Sequence, residues 1–99
     1  MNPEVYFQRD AAREYRSARK WYASRSPRAG ERFRLAVGAA VQRIESQGES
    51  LPVLEGEYRY VRVKRFPYQL IFRRRLSGNF LVVAVAHFSR RPGYWRGRR

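Results

Sequence analysis

The chain has 99 residues, 22 of them Lys or Arg and eight of them Asp or Glu, which gives a formal net charge of +14 at pH 7. The length predicts one small domain over residues 1–99, and a hydrophobic content of 43% is sufficient for a packed core. The absence of cysteine excludes disulfides and thiolate metal sites, and no apolar run is long enough for a transmembrane helix. Without a signal-peptide pattern, we expect a cytoplasmic protein.

The excess of positive charge indicates an anionic partner. Self-repulsion at this net charge opposes a compact monomer and favours binding to nucleic acid, to an acidic protein segment or to an anionic membrane. All the cations except Lys20 and Lys64 are arginine, whose planar guanidinium binds phosphate and carboxylate through two hydrogen bonds. A high GC content of the gene gives the same arginine bias, so composition alone leaves the class of partner open.

The first half of the chain predicts a short strand and two helices. Residues 4–7 alternate and favour an edge strand, after which apolar side chains recur at helical spacing through residues 9–25. Ser26 and Pro27 are typical of an N-cap and a first helical position, so a second helix begins there and ends near Gly48. Because almost no linker separates the two helices, we expect them to form an antiparallel hairpin.

The second half of the chain predicts three strands. Residues 58–66 alternate, Pro67 interrupts them, and residues 68–72 resume as a strand. After a turn at residues 76–79, the run FLVVAVAH at 80–87 is apolar almost throughout, which predicts a central strand covered on both faces.

These elements have the order β-α-α-β-β-β, with residues 47–57 as the loop after the helices. The predicted fold is α+β, an antiparallel β-sheet with an N-terminal helical hairpin packed on one face. The other face is only partly covered in this arrangement, and it carries Arg62 and Lys64. An arginine-rich and aromatic segment follows the last strand at His87, so we expect that end of the sheet to meet the partner.

Several local patterns occur together along this order of elements. They are Ala11-Ala12-x-Glu14 with Trp21-Tyr22, then Phe33, then Arg65-Phe66-Pro67-Tyr68-Gln69-Leu70-Ile71-Phe72, and finally Val85-Ala86-His87-x-x-Arg90-x-Pro92-x-Tyr94-Trp95-x-x-Arg98. With the length and the charge, they resemble the RelE/ParE superfamily of bacterial toxins from type II toxin–antitoxin modules, in its ParE-like, plasmid-stabilisation branch. The resemblance spans essentially the whole chain.

The resemblance implies a toxin that arrests growth and is neutralised, in a hetero-oligomer, by a cognate antitoxin with an acidic or amphipathic C-terminal segment. ParE-like members poison DNA gyrase, and we favour that target. RelE-like members instead cut messenger RNA in the ribosomal A site without a metal, so they are endoribonucleases. A third interpretation is a basic nucleic-acid-binding domain without toxicity. None of the three implies a membrane partner.

Two sets of candidate residues follow from these interpretations. A RelE-like nuclease would take a partial catalytic set from Arg62, Lys64, Arg91 and Tyr94. Only one lysine lies in the strand region, however, and arginine is too basic to accept a proton. Contacts with the target or the antitoxin are expected from Arg65, His87, Arg90, Trp95 and Arg98. Since the sequence contains no metal-ligand spacing, P-loop or nucleophile–base set, we expect neither a metal nor another cofactor.

Several of these residues also have a structural interpretation. His87 is the sole histidine and can act as an acid or base, but at the end of an apolar strand it can equally be a hydrogen-bonded structural imidazole. Tyr94 and Trp95 either pack back onto the domain or form a surface on which bases stack. The arginines at positions 96, 98 and 99 are expected to form a mobile cationic tail. Glu14 is expected to form a weak surface ion pair across the helical hairpin.

Overall fold

The computed structural model describes residues 3–99, which contain two helices and one five-stranded sheet, so the predicted α+β fold class is confirmed. The elements in chain order are β1 (Val5–Phe7), α1 (Arg9–Arg25), α2 (Pro27–Gln47), β2 (Val53–Glu55), β3 (Tyr58–Val63), β4 (Tyr68–Arg74) and β5 (Phe80–His87), with a 3-10 turn at Gly48–Ser50. Neither helix of this described part combines the length and the apolar composition needed to cross a bilayer.

Each helix begins at a side-chain cap. The Gln8 amide oxygen accepts hydrogen bonds from the backbone N–H groups of Asp10 and Ala11 at 2.7 and 3.1 Å, which leaves Asp10 in the first turn of α1. Ser26 Oγ accepts a hydrogen bond from the N–H of Ala29 at 3.0 Å, as the Ser-Pro pair predicts for the start of α2. The predicted bounds of α1 are therefore confirmed, and the second helix begins where the sequence places it.

Close packing at one glycine and a cluster of rings join the helices to each other and to the sheet. A Cβ atom at Gly30 would stand 2.8 Å from the Cβ of Ala23, so this approach of α1 and α2 requires glycine. Phe33 of α2 is fully buried, and its ring centroid lies 5.1 Å from that of Tyr22 and 5.4 Å from that of Tyr68. Aromatic contacts of this kind add to the burial of apolar surface between the two layers.

The sheet is mixed rather than purely antiparallel. Its strand order is β1-β5-β4-β3-β2, in which β5 is interior and buried except for His87, as the apolar run predicts. Each of the strands β2 to β5 pairs antiparallel with its neighbours in this group. Strand β1 instead pairs in parallel with β5, because no local turn joins these two strands and both helices lie between them in the chain. Strand β2 lies inside the loop predicted at residues 47–57, and its three exposed residues lack the alternation by which a strand is predicted.

A β-bulge at Val83 reverses the alternation of β5. Strand β4 pairs with Val82 and Ala84 but skips Val83. As a result, Val82 and Val85 pack with the helices, whereas Val83 and Ala84 both pack on the other face of the sheet. The shift turns the Val83 carbonyl and the Val85 N–H away from β4, toward the side of β5 that the short strand β1 leaves open.

The C-terminal segment covers the second face of the sheet. Trp95 is only 3% exposed and packs on apolar residues of β4 and β5, with its ring centroid 4.7 Å from that of Tyr58. Arg96 donates hydrogen bonds of 2.8 and 2.7 Å to the Glu55 carboxylate. The prediction of a mobile tail is therefore wrong for Arg96 and Arg98, because carboxylates and a buried indole fix this segment on the sheet.

Candidate functional site

A carboxylate on α1 and an arginine near the C-terminus close the open side of β5. Glu14 Oε1 accepts hydrogen bonds from the Val85 N–H at 3.0 Å and from Arg98 Nη1 at 2.8 Å. Arg98 Nη1 also donates to the Val83 carbonyl at 3.0 Å. Both side chains are only 16% exposed, and they satisfy the two backbone groups that the bulge turns outward. Glu14 thus belongs to a largely buried network and not to the weak surface pair that the sequence suggested.

The phenol of Tyr94 is the third member of this network. Its hydroxyl donates to Glu14 Oε2 at 2.7 Å, and Arg98 Nη2 donates to the same oxygen at 3.1 Å. Burial of the phenol is the main reason that the pKa of Tyr94 lies well above its ordinary value, and the hydrogen bond to Glu14 raises this pKa further. The hydroxyl therefore keeps its proton at neutral pH and is already engaged as a donor, which makes it a poor acid for a leaving oxygen.

His87 is half-buried at the end of β5, with one ring nitrogen occupied. Its Nδ1 accepts a hydrogen bond from the Ser89 N–H at 3.0 Å and lies 2.7 Å from Ser89 Oγ. Because Nδ1 is an acceptor here, the neutral ring carries its proton on Nε2. The ring also stands edge-on to Tyr68 at 5.0 Å between centroids, so the imidazole is held from two sides. Both sequence interpretations of His87, structural imidazole and contact residue, are compatible with this placement.

An open groove of about 580 Å³ lies between α1 and the end of β5. Its lining combines aromatic and basic side chains, among them Arg13, Trp21, Tyr22, Tyr68, His87 and Arg90. Trp21 is 52% exposed, with the Arg25 guanidinium 4.4 Å from its ring centroid. A surface that presents exposed rings between cations is suited to a segment with both apolar and acidic side chains.

The residues predicted for a RelE-like catalytic set line two different cavities. Arg62 and Lys64 line a cleft of about 470 Å³ beside β3. Arg91 and Tyr94 line a cavity of about 240 Å³ under the C-terminal segment. Phe88 is common to both linings, so the two surfaces adjoin at that ring without bringing the four side chains around one point.

The predicted contact residues fall into two groups. Arg65 and Arg90 are exposed and His87 is partly exposed, so these three are accessible to a partner. Trp95 is buried and Arg98 is bound to Glu14, so we interpret both as residues that hold the C-terminal segment rather than as contacts.

Sequence reasoning misassigned the role of one residue and missed another that the fold brings to these surfaces. Glu14 organises the network around Tyr94 and Arg98, and Arg43 of α2 lines the same cleft as Arg62. The role of neither residue has a local sequence signal, since each meets partners that are distant along the chain. Across residues 3–99, no three His, Asp or Glu side chains are grouped so that they would hold a metal ion.

Comparison with known proteins gives one family. A family model described as the ParE toxin of the type II toxin–antitoxin system, parDE, matches residues 5–92. The match includes both helices, all five strands and His87, whereas Tyr94, Trp95 and Arg98 lie beyond its end. A search of individual curated proteins gives no match.

Proposed function

Because the chain belongs to the ParE toxin family of type II toxin–antitoxin systems, we propose that it arrests growth by poisoning DNA gyrase and that a cognate antitoxin neutralises it. The observation that carries gyrase over RNA cleavage is the 2.7 Å hydrogen bond from the Tyr94 hydroxyl to Glu14. A metal-free nuclease needs a free acid beside its phosphate-binding cations, and Tyr94 is both engaged and in a different cavity from Arg62 and Lys64.

A supercoiling assay with purified protein and purified gyrase tests the target. We expect the wild-type protein to inhibit supercoiling, and Arg90→Ala to weaken the inhibition because this exposed cation lies among the proposed contacts. Arg28→Ala is the control, since it removes one exposed cation at the start of α2 that does not line the groove containing Arg90. Unchanged supercoiling at stoichiometric excess of the wild-type protein rejects gyrase as the target.

A second candidate function is that of a ribosome-dependent endoribonuclease. It is supported by the position of Phe88, which lines both the cleft of Arg62 and Lys64 and the cavity of Arg91 and Tyr94. In this case Arg62 and Lys64 bind the phosphate and Arg91 and Tyr94 complete the site after the C-terminal segment shifts. Primer extension on translated messages would then show cuts in the A-site codon, and Arg62→Ala would abolish them. Intact transcripts in cells whose growth has stopped remove this candidate.

The groove between α1 and β5 is the proposed docking site for the antitoxin. Its exposed Trp21 offers apolar contact, and Arg13 and Arg90 offer charges to the acidic or amphipathic C-terminal segment that the resemblance implies for the antitoxin. Burying an indole of this kind at the centre of an interface contributes much of the binding free energy.

Co-expression with the antitoxin encoded by the neighbouring reading frame tests this docking site. We expect Trp21→Glu to remain toxic and to escape neutralisation, because it places a negative charge opposite an acidic segment. Leu35→Glu is the matched control, since Leu35 is 57% exposed on α2 and lies outside the groove. Equal neutralisation of both variants contradicts docking in this groove.

A further inference from the structure

Arg90, which lines the groove between α1 and β5, stands between two tight turns. The first turn is closed by the N–H of Arg90, which donates to the His87 carbonyl at 3.0 Å. The second turn spans residues 91–94 and is closed by the N–H of Tyr94, which donates to the carbonyl of residue 91 at 3.2 Å. Its second residue is proline and its third is Gly93, with a φ of 75°, which is typical of a type II turn. The local sequence therefore fixes the chain on both sides of Arg90.

The two turns bring the side chains of Arg90 and Tyr94 into contact. The Arg90 guanidinium carbon lies 3.9 Å from the centroid of the Tyr94 ring, compared with 4.4 Å for Arg25 over Trp21. A guanidinium on the face of a ring is attracted by the π electrons of the ring. Because its N–H groups lie in the plane of the guanidinium, stacking leaves them available as donors. The charge of Arg90 is therefore held in one place with its donors accessible.

Tyr94 is itself held in place. Its hydroxyl donates to Glu14 Oε2 at 2.7 Å, and the Arg98 guanidinium carbon lies 4.9 Å from its ring centroid. The next residue, Trp95, is buried on the second face of the sheet. Tyr94 does not line the groove, whereas Arg90 does. We therefore expect Tyr94 to affect a ligand in the groove through Arg90 rather than by contact.

The charge of Arg90 is not neutralised within the described residues 3–99. No carboxylate in this part of the chain lies within 4.0 Å of its side-chain nitrogens, whereas Arg98 is bound by Glu14 at 2.8 Å. Three apolar side chains also line the groove, namely Ala18, Pro67 and Val85. An unpaired guanidinium beside an apolar lining is suited to a carboxylate on a protein segment that also carries apolar side chains.

We propose that Arg90 is a carboxylate-binding residue held in position by Tyr94, and that its ligand is an acidic side chain of the antitoxin segment in the groove. Tyr94 is then a positioning residue. A side chain that is already ordered loses less conformational entropy on binding, which strengthens the complex. The C-terminal segment thus contributes to binding without touching the partner. The proposal rests on docking of the antitoxin in the groove between α1 and β5.

Titration calorimetry with the antitoxin encoded by the neighbouring reading frame tests the role of Tyr94. We expect Arg90→Ala to weaken binding about tenfold, which is typical for the loss of a charge-assisted hydrogen bond. Tyr94→Leu should weaken it about threefold, the contribution of a cation–π contact at an exposed site. In the Arg90→Ala protein, Tyr94→Leu should have no further effect, because Tyr94 acts through Arg90.

A conservative variant and a matched pair serve as controls. Tyr94→Phe keeps the ring and loses the hydrogen bond to Glu14, so it should restore the affinity that Tyr94→Leu loses. Arg75 is also exposed, its guanidinium carbon lies 5.5 Å from the ring centroid of Tyr6, and neither residue lines the groove. We expect Arg75→Ala and Tyr6→Leu to leave the affinity for the antitoxin unchanged. Circular dichroism establishes that each variant is folded.

NMR of the free protein checks the positioning without a partner. Side-chain protons of Arg90 that lie over the Tyr94 ring should be shifted upfield by its ring current. We expect this shift in the wild type and in Tyr94→Phe, and we expect Tyr94→Leu to lose it. Arg90 side-chain resonances at the positions of an unstructured arginine in the wild type would overturn the proposal.

Three results of the binding assay overturn it as well. Equal weakening by Tyr94→Leu and Tyr94→Phe shows that the hydrogen bond to Glu14, and not the ring, supports binding. Weakening by Tyr94→Leu that persists in the Arg90→Ala protein shows that Tyr94 does not act through Arg90. Weaker binding of a single-stranded oligonucleotide by Arg90→Ala, with unchanged affinity for the antitoxin, identifies nucleic acid as the ligand of Arg90.

Trp21→Glu separates a failure of this proposal from a failure of the docking site. If Trp21→Glu weakens binding of the antitoxin and Arg90→Ala does not, the antitoxin docks in the groove without a carboxylate on Arg90, and this proposal alone fails. If neither substitution weakens binding, the docking site in the groove fails together with it.

Discussion

Glu14 on α1 and Arg98 near the C-terminus are 84 residues apart, and their side chains are joined by hydrogen bonds of 2.8 and 3.1 Å. The same two side chains hold the Val83 carbonyl and the Val85 N–H of β5. Removing the carboxylate leaves a largely buried guanidinium with only the longer 4.0 Å ion pair to Asp10, so we expect Glu14→Gln to lower the free energy of unfolding by about 2 kcal/mol. Urea unfolding followed by circular dichroism measures this change.

The control for Glu14→Gln is a second glutamate that also binds an arginine. Glu31 accepts hydrogen bonds of 3.1 and 3.0 Å from Arg34 Nε, but its side chain is 50% exposed. Water screens such a pair, so Glu31→Gln should leave the free energy of unfolding nearly unchanged. Equal destabilisation by the two substitutions would mean that the contribution of the Glu14–Arg98 pair to the free energy of unfolding does not depend on its burial.

The two tryptophans separate packing from partner contact. Trp95 is 3% exposed on the second face of the sheet, whereas Trp21 is 52% exposed in the groove. We expect Trp95→Ala to lower the free energy of unfolding by about 3 kcal/mol or more, because it opens a cavity over β4 and β5. Trp21→Ala should cost much less stability. A Trp95→Ala protein that unfolds like the wild type but no longer arrests growth would instead restore Trp95 as a contact residue.

The helices and the buried strand could be predicted because their signals are local. The spacing of apolar residues over 9–25, the Ser26-Pro27 pair and the apolar run at 80–87 each report on neighbours a few residues away. The parallel pairing of β1 with β5 has no such local signal, since it depends on how the two helices pack on the sheet and so on where β5 lies relative to β1. The bulge at Val83 depends on the register with β4, which the apolar run alone leaves undetermined.

The candidate site was less predictable for the same reason. The sequence correctly indicated that the segment after His87 carries cations and rings, but charge patterning does not show which of them acquire a partner. Arg98 meets Glu14 across the fold, and Trp95 completes the cover of an apolar face, so we interpret these two expected contacts as structural. Arg43 joins Arg62 only because α2 ends beside the open edge of β3.

The turn after β3 predicts an unusual stabilising substitution. Arg65 is the third residue of a turn closed by the Phe66 N–H and the Val63 carbonyl, and its φ of 72° is the conformation in which glycine is unstrained. Arg65→Gly should therefore raise the free energy of unfolding by about 1 kcal/mol, which for a chain of this length is about 4–8 °C in Tm. Lys64→Gly is the control, because it removes a neighbouring cation at a position without positive φ. A rise in Tm for both variants would identify charge repulsion, and not backbone strain, as the cause.

The hydrogen bond between Tyr94 and Glu14 predicts a difference in alkaline stability. The pKa of Tyr94 is raised in the folded protein. The hydrogen-bonded phenol therefore contributes its full stability below the tyrosine pKa of the unfolded chain, about 10, and this contribution is lost as the pH rises above that pKa. Tyr94→Phe lacks the bond and the titration, so it should be less stable than the wild type at pH 8, and the gap should narrow as the pH increases. Burial also raises the pKa of Tyr22 and Tyr68, but both remain in the variant and cancel from the difference. Urea unfolding of both proteins at intervals from about pH 8 to about pH 11.5 measures the gap. Two curves that stay parallel over this range would show that the Tyr94 phenol is not held protonated by its burial and by Glu14.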